Sequence, residues 1–143
     1  MVTSEEENGL RILAVDVGQK RYGLAQSDPT QTIASPVGTY HLDALLEKLK
    51  EITARETIQQ LVVGWPLNMD SQESEATDRV KGFISAVQRR FPGLEIIKID
   101  ERFTSTLAQR AIRESGLPKS KRQDKGLVDT IAAVIILQDY LNR

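Results

Sequence analysis

Four carboxylates stand where acid chemistry would need them. Asp16 lies inside the apolar run "RILAVDV", Asp100 and Glu101 meet in "KIDER", and Asp129 precedes "TIAAVIIL". A carboxylate in a buried strand is costly unless a cation, a hydrogen-bond donor or water meets it. Carboxylates brought together repel one another and raise each other's pKa, and a bound divalent cation reverses that. Carboxylate oxygens suit Mg²⁺ or Mn²⁺. Two such ions roughly 3.5–4 Å apart can activate a water and stabilise the leaving oxygen of a phosphodiester. The chain has no Cys and a single His, His41, so a zinc site is not expected. Each acid also has a plainer reading: a solvated strand end for Asp16, a helix cap for the "DER" step, a dipole-favoured helix-start charge for Asp129. Spacing alone leaves Asp100 and Glu101 as alternatives.

The surrounding elements decide whether these acids can meet. Residues 11–17 form a short apolar run rich in β-branched side chains, expected as a central strand. Gly18, Gln19 and Lys20 make a turn. Residues 21–28 alternate, with Tyr22, Leu24 and Gln26 on one face and Gly23, Ala25 and Ser27 on the other, as a hairpin partner would. Residues 32–40 read as a weaker third strand, and Pro36 puts it at an edge. Leu42, Leu45, Leu46, Leu49 and Ile52 recur at helical spacing over 41–56. A strand is expected at 60–65, and a loop follows it. A helix at 73–91 carries Ala76, Val80, Phe83, Ile84, Val87 and Phe91 on one face, and Pro92-Gly93 ends it. A strand at 94–100, a helix at 104–115 with Thr104 as N-cap and Gly116 past its end, a loop to Lys125 and an apolar helix at 126–143 complete the chain. This order predicts an α/β fold: a mixed sheet with helices on its faces. Ligand sites in such sheets lie outside the carboxyl ends of the strands. Asp16 and Asp100-Glu101 are strand-terminal there. Asp129 falls in the expected first turn of the last helix, and the small Ala132 and Ala133 let that helix lie close to the sheet.

The chain has 143 residues, 40% of them hydrophobic, which suits one globular domain. Residues 1–9 read as a frayed acidic tail and 10–143 as the domain. No export signal or membrane-spanning stretch is visible, so a cytoplasmic protein is expected. The net charge of -1 argues against a simple polyanion binder. Without Glu5, Glu6 and Glu7 the remainder is +2 (-1 + 3). Within "LPKSKRQDKG", Lys119, Lys121, Arg122 and Lys125 oppose only Asp124, so a local basic segment sits on a nearly neutral body.

Four stretches in order, "DVGQKRYGLAQSD", "VVGWPLNMD", "DERFTSTLAQ" and "VDTIAAVIILQDYL", resemble the YqgF/RuvX family, described as Holliday junction resolvases and as pre-16S rRNA nucleases. The resemblance runs from Arg11 to Leu141. It implies a ribonuclease H-like fold with a five-stranded mixed sheet, a three-strand antiparallel meander plus two parallel strands. It also implies a metal-dependent nuclease whose acids are Asp16, Glu101 and Asp129, so the family motif favours Glu101 over Asp100. The implied task is 5′-end maturation of 16S rRNA precursor, with the pre-ribosome as a partner. Two departures, Trp65 before Pro66 and Ser71 after "MD", fall around the loop that follows the fourth strand.

In that light Gly18 permits a tight turn and close approach of a phosphate. Lys20 and Arg21, both in the family motif, are candidates to hold the scissile or a neighbouring phosphate. Arg102 and Thr104 follow the second acid as further substrate-binding candidates, Thr104 also as a helix cap. The basic residues 119, 121, 122 and 125 are candidates to track a nucleic-acid backbone. Asp28 reads as a turn former, Trp65 and Tyr22 as core or rim residues, and His41 as no catalytic base. Alternatives are cleavage of branched DNA, whose symmetric resolution needs a dimer, and a non-catalytic ribosome-assembly factor; the chain is expected as a monomer or homodimer. Nucleotide binding of the sugar-kinase or actin kind, suggested by "DVGQKRYG", needs two lobes, and 143 residues hold one.

Overall fold

The computed structural model describes residues 10–66, 75–100, 104–114 and 125–143. The expected acidic tail, the loop from Leu67 to Ser74 with Ser71, and most of the basic segment lie outside the described residues. Strands β1 (Arg11–Val17), β2 (Tyr22–Ser27) and β3 (Ala34–Tyr40) come first. Helix α1 (Leu42–Arg55), strand β4 (Ile58–Trp65), helix α2 (Glu75–Arg90), strand β5 (Glu95–Asp100), helix α3 (Thr104–Glu114) and helix α4 (Lys125–Leu141) follow. One five-stranded sheet runs β3-β2-β1-β4-β5. The β1–β2 and β2–β3 pairs are antiparallel and the β1–β4 and β4–β5 pairs parallel, as expected. The Pro36-bearing strand is at the edge.

Alternation along the strands splits the interior in two. Leu13, Val15, Leu24, Leu61 and Val63 face α1 and α2, meeting Leu45, Leu49, Val80, Phe83 and Val87. Fully burying one such leucine stabilises the fold by roughly 1.5–3 kcal/mol. Tyr22 stacks on Phe83 with ring centres 5.2 Å apart, and Trp65 packs against the same layer with the Lys98 ammonium 4.4 Å above its ring. Both aromatic residues therefore have core and rim roles. The opposite face carries smaller side chains. There Ile12, Ala14, Ala25, Val62 and Ile99 meet Ala133, Ile136 and Leu137 of α4.

Element boundaries shift for identifiable reasons. The third strand starts at Ala34, not Thr32, because the Asp28 carboxylate competes for its backbone. Asp28 Oδ1 accepts the amides of Thr32 at 2.7 Å and Ile33 at 2.8 Å, and the Thr30 hydroxyl donates to Oδ2. Those donors, the Ile33 amide first, hold the Asp28 carboxyl well below the usual carboxylate range. Asp28 is thus the expected turn former. β4 begins two residues early, at Ile58, which pairs with Arg11. After α2, Leu94 N–H closes a turn onto the Phe91 carbonyl at 3.0 Å, around Pro92-Gly93. α4 begins at Lys125, so Asp129 lies in its second turn rather than its first.

Candidate active site

Asp16 shares its alternation with Ile12 and Ala14, so it belongs to the α4 face of β1. It is only 7% exposed. On α4, Asp129 precedes Ala133, Ile136 and Leu137 by four, seven and eight residues, the spacing of one helical face. That face is the one buried against the sheet. Both acids therefore border one interlayer space, at the carboxyl end of β1.

Gly23 measures how close they come. It is the register partner of Asp16, and partners in an antiparallel ladder point to the same face. A Cβ on Gly23 would lie 2.0 Å from the Asp129 carbonyl oxygen and 2.8 Å from the Thr130 nitrogen. The backbone of α4 thus rests directly on the sheet beside Asp16. The small Ala133, fully buried in the same layer, permits the same approach one turn on.

The β1–β2 turn closes this space. Gly18 N–H donates to the Arg21 carbonyl at 2.9 Å. A Cβ on Gly18 would sit 2.6 Å from that carbonyl and 3.6 Å from Asp129 Oδ2. Only glycine fits the turn, and the turn lies against the Asp129 carboxylate. Arg21 Nε is 4.0 Å from Asp129 Oδ2 and keeps a side chain 38% exposed. Lys20 is exposed, and its carbonyl lies 3.0 Å from Nδ1 of His41, the residue before α1. His41 therefore ties the turn to a helix start.

The structure thus brings together Asp16, Asp129, Gly18 and Arg21, with Lys20 at the rim. Asp100 departs from the group. It ends β5 with the alternation of Ile96, which faces α1 and α2, whereas Ile97 and Ile99 face α4. Asp100 is thus assigned to the sheet face opposite Asp16. Glu101, Arg102, Lys119, Lys121 and Arg122 lie outside the described residues. Thr104 and Lys125 open α3 and α4, and their side chains also lie outside them. Among the described residues no group of three acidic, histidine or cysteine side chains is placed to hold one metal ion.

Residues missed by sequence reasoning hold α4 in place. The Thr39 hydroxyl of β3 lies 2.5 Å from the Gly126 carbonyl and against the Thr130 hydroxyl, which is 2.9 Å from the same carbonyl, so the two hydroxyl protons serve two of these three contacts at a time. Near the other end, Gln138 accepts the Ala34 amide at 2.9 Å and donates to the Thr32 carbonyl at 3.0 Å. Tyr140 donates to Gln60 at 2.7 Å. Hydroxyl and amide side chains on an edge strand and a helix carry no sequence signal for such pairing.

Among the described residues no helix is long and apolar enough to cross a membrane. The RuvX family, described as Holliday junction resolvase, matches residues 10–143. A relative from Flavobacterium johnsoniae, named "Putative pre-16S rRNA nuclease", is 43% identical over 132 residues, covering 92% of this chain and 96% of its own. One of the same name from Porphyromonas gingivalis is 45% identical over the same length and shares. In fold, the chain is similar to T. thermophilus RuvC solved with a Holliday junction substrate, at a TM-score of 0.55 over 93% of this chain and 96% of that one. The identity there is 12%, so that likeness speaks for the fold alone. With this sheet order, the chain belongs to the RuvX family: it is a nuclease of ribonuclease H-like fold.

Proposed function

We propose that this nuclease is a divalent-metal-dependent phosphodiesterase that matures the 5′ end of precursor 16S rRNA. The observation that carries the chemistry is the convergence of Asp16 and Asp129 on one interlayer space, closed by the Gly18–Arg21 turn. Their donor set fits Mg²⁺ or Mn²⁺: hard carboxylate oxygens, one of them on a side chain only 7% exposed. Asp16, Asp129 and Glu101 are the residues that would hold two ions with substrate bound. Glu101 enters as the third acid on the strength of the family motif "DERFTSTLAQ". When bound, such ions supply an activated water and charge stabilisation on the phosphate.

The chain's own residues do the rest. Arg21 neutralises Asp129 from 4.0 Å and is exposed enough to reach a phosphate on the same side. Lys20 stands beside it at the rim. Gly18 keeps that approach free of side chain. Arg102, Thr104 and the basic residues Lys119, Lys121, Arg122 and Lys125 extend the binding track along the RNA backbone. Hydrolysis adds water across one P–O bond and leaves a phosphate end and a hydroxyl end. The domain from residue 10 to 143 acts as one unit in the cytoplasm on the pre-ribosome, as a monomer or homodimer.

The test is cleavage of a precursor 16S rRNA leader by the wild type, with Mg²⁺, with Mn²⁺ and with chelator. Cleavage that needs the metal supports the reading. Binding without product across all metals overturns it in favour of a non-catalytic assembly factor. The family description favours one second reading, resolution of branched DNA by a homodimer. A four-way junction in the same assay, cut symmetrically while the RNA stays intact, would select it.

A further inference from the structure

We propose that Thr39, on the edge strand β3, is a positioning residue for Asp129, acting through a hydroxyl knot with Thr130 and Gly126. This rests on the metal-dependent reading above. Thr39 does not adjoin Asp16 in the ladder. It pairs with Gly23, which itself pairs with Asp16, so it stands two strands away. Its reach is through α4. Two hydroxyls converge on the carbonyl of Gly126, at 2.5 Å from Thr39 and 2.9 Å from Thr130. The hydroxyls also touch each other, and their two protons are shared among the three contacts.

The knot has a directional consequence. Successive helix residues are rotated by about 100°. Thr130 directly follows Asp129, so pinning Thr130 to β3 fixes the rotation of α4 about its axis where Asp129 leaves it. Gly23 already sets the depth, because the Asp129 carbonyl lies 2.0 Å from where its Cβ would be. Gln138 sets the slide along the axis by gripping Thr32 and Ala34. Gln138 and Tyr140 hold the far end of α4, and the Thr39 hydroxyl resists rotation at the end that carries Asp129. Without it, packing on Ala133, Ile136 and Leu137 still holds the helix, because those contacts are apolar and tolerate a small turn. The carboxylate, at the end nearest the knot, does not tolerate it.

Thr39→Val removes the hydroxyl at nearly constant volume, and Thr39→Ser keeps it. The assays are Mn²⁺ binding by calorimetry, cleavage of the precursor leader with turnover and KM separated, and thermal melting. For Thr39→Val we expect Mn²⁺ affinity and turnover each to fall by about tenfold, the low end for loss of a group that orients a metal ligand. KM for RNA should stay within about twofold, and Thr39→Ser should restore both losses. Wild-type metal affinity and turnover in Thr39→Val overturn the proposal. So do equal losses in Thr39→Ser, because the hydroxyl then does nothing specific. If Thr39→Val does not fold, Thr130→Ala is read by the same assays, and failure of both to fold makes the knot a stability element only. Absence of Mn²⁺ binding by the wild type sinks the metal reading itself and this inference with it, a result distinct from an unaltered Thr39→Val.

Discussion

Replacing Gly23 by alanine is the sharpest test of the close packing at the site. The added methyl would begin 2.0 Å from the Asp129 carbonyl oxygen, 2.3 Å from its carbon and 2.8 Å from the Thr130 nitrogen. All three are backbone atoms of a helix, so no side-chain rotation relieves the clash. Ordinary contact begins near 3.4 Å, so α4 must retreat by about 1.4 Å at this point. Overpacking of this kind costs about 1–3 kcal/mol. Alanine recovers part of that, about 0.4–1 kcal/mol, by stiffening the unfolded chain. The net loss should reach at most about 2.6 kcal/mol, which lowers the melting temperature of a domain this size by up to roughly 10 °C. The effect on cleavage should be larger, because the retreat moves Asp129 away from Asp16. A misplacement of about 1 Å at a reacting centre can cost on the order of a hundredfold in rate. Gly82, in α2, is the control: a Cβ there meets nothing within 4 Å. Gly82→Ala should leave activity intact and raise stability by about 0.5–1 kcal/mol through helix propensity. The assays are thermal melting and metal-dependent cleavage of the precursor leader, run on both variants. A Gly23→Ala protein that melts within a degree of wild type and cleaves at full rate would refute the reasoning.

Asp16→Asn should abolish metal-dependent cleavage and leave the circular dichroism spectrum unchanged; full cleavage would remove Asp16 from the mechanism. Arg21→Ala, as loss of one phosphate contact, should weaken RNA binding and reduce the slope of log affinity against log salt by about 1, measured by filter binding. An unchanged slope would assign Arg21 to Asp129 alone. Asp28 has a folded-state pKa held below its unfolded value, so its carboxylate contributes stability above the ordinary carboxylate range. That contribution is lost as pH falls through the range towards the lower folded value. The melting-temperature gap between wild type and Asp28→Asn should therefore be widest near neutral pH and narrow below about pH 4. A gap independent of pH would contradict the turn geometry.

Much of the fold was legible because two periodicities are clean. The β1 run and the leucines of α1 predicted a central strand and an amphipathic helix, and both form on the residues expected. Asp16 and Asp129 were legible as partners for a local reason: each sits at the end of an apolar pattern whose other members are buried. The choice between Asp100 and Glu101 was not legible from "LEIIKID". Ile96 and Ile97 are both apolar, so alternation there does not say which face is which. Only the packing of Ile96 towards α1 and α2 assigns Asp100 to that side, and Glu101 lies outside the described residues. The start of β3 was missed because Asp28 removes two amides from the ladder through a side-chain contact four and five residues along. Gly23 and Thr39 were invisible as site residues for a deeper reason. Their importance lies in distances to α4, residues 125–141, about a hundred positions away in the chain.

The two layers of this protein differ in how much change they can absorb. The side holding Leu13, Leu24, Leu45 and Phe83 is built of large, interchangeable hydrocarbons, and volume-conserving swaps there should be absorbed by local readjustment. The side where Ala14, Gly23 and Ala25 meet Ala133 has less slack, because a methyl at Gly23 would run into the backbone of the helix that carries Asp129. Thermostabilising substitutions and evolutionary drift therefore meet less resistance in the layer under α1 and α2 than in the layer under α4.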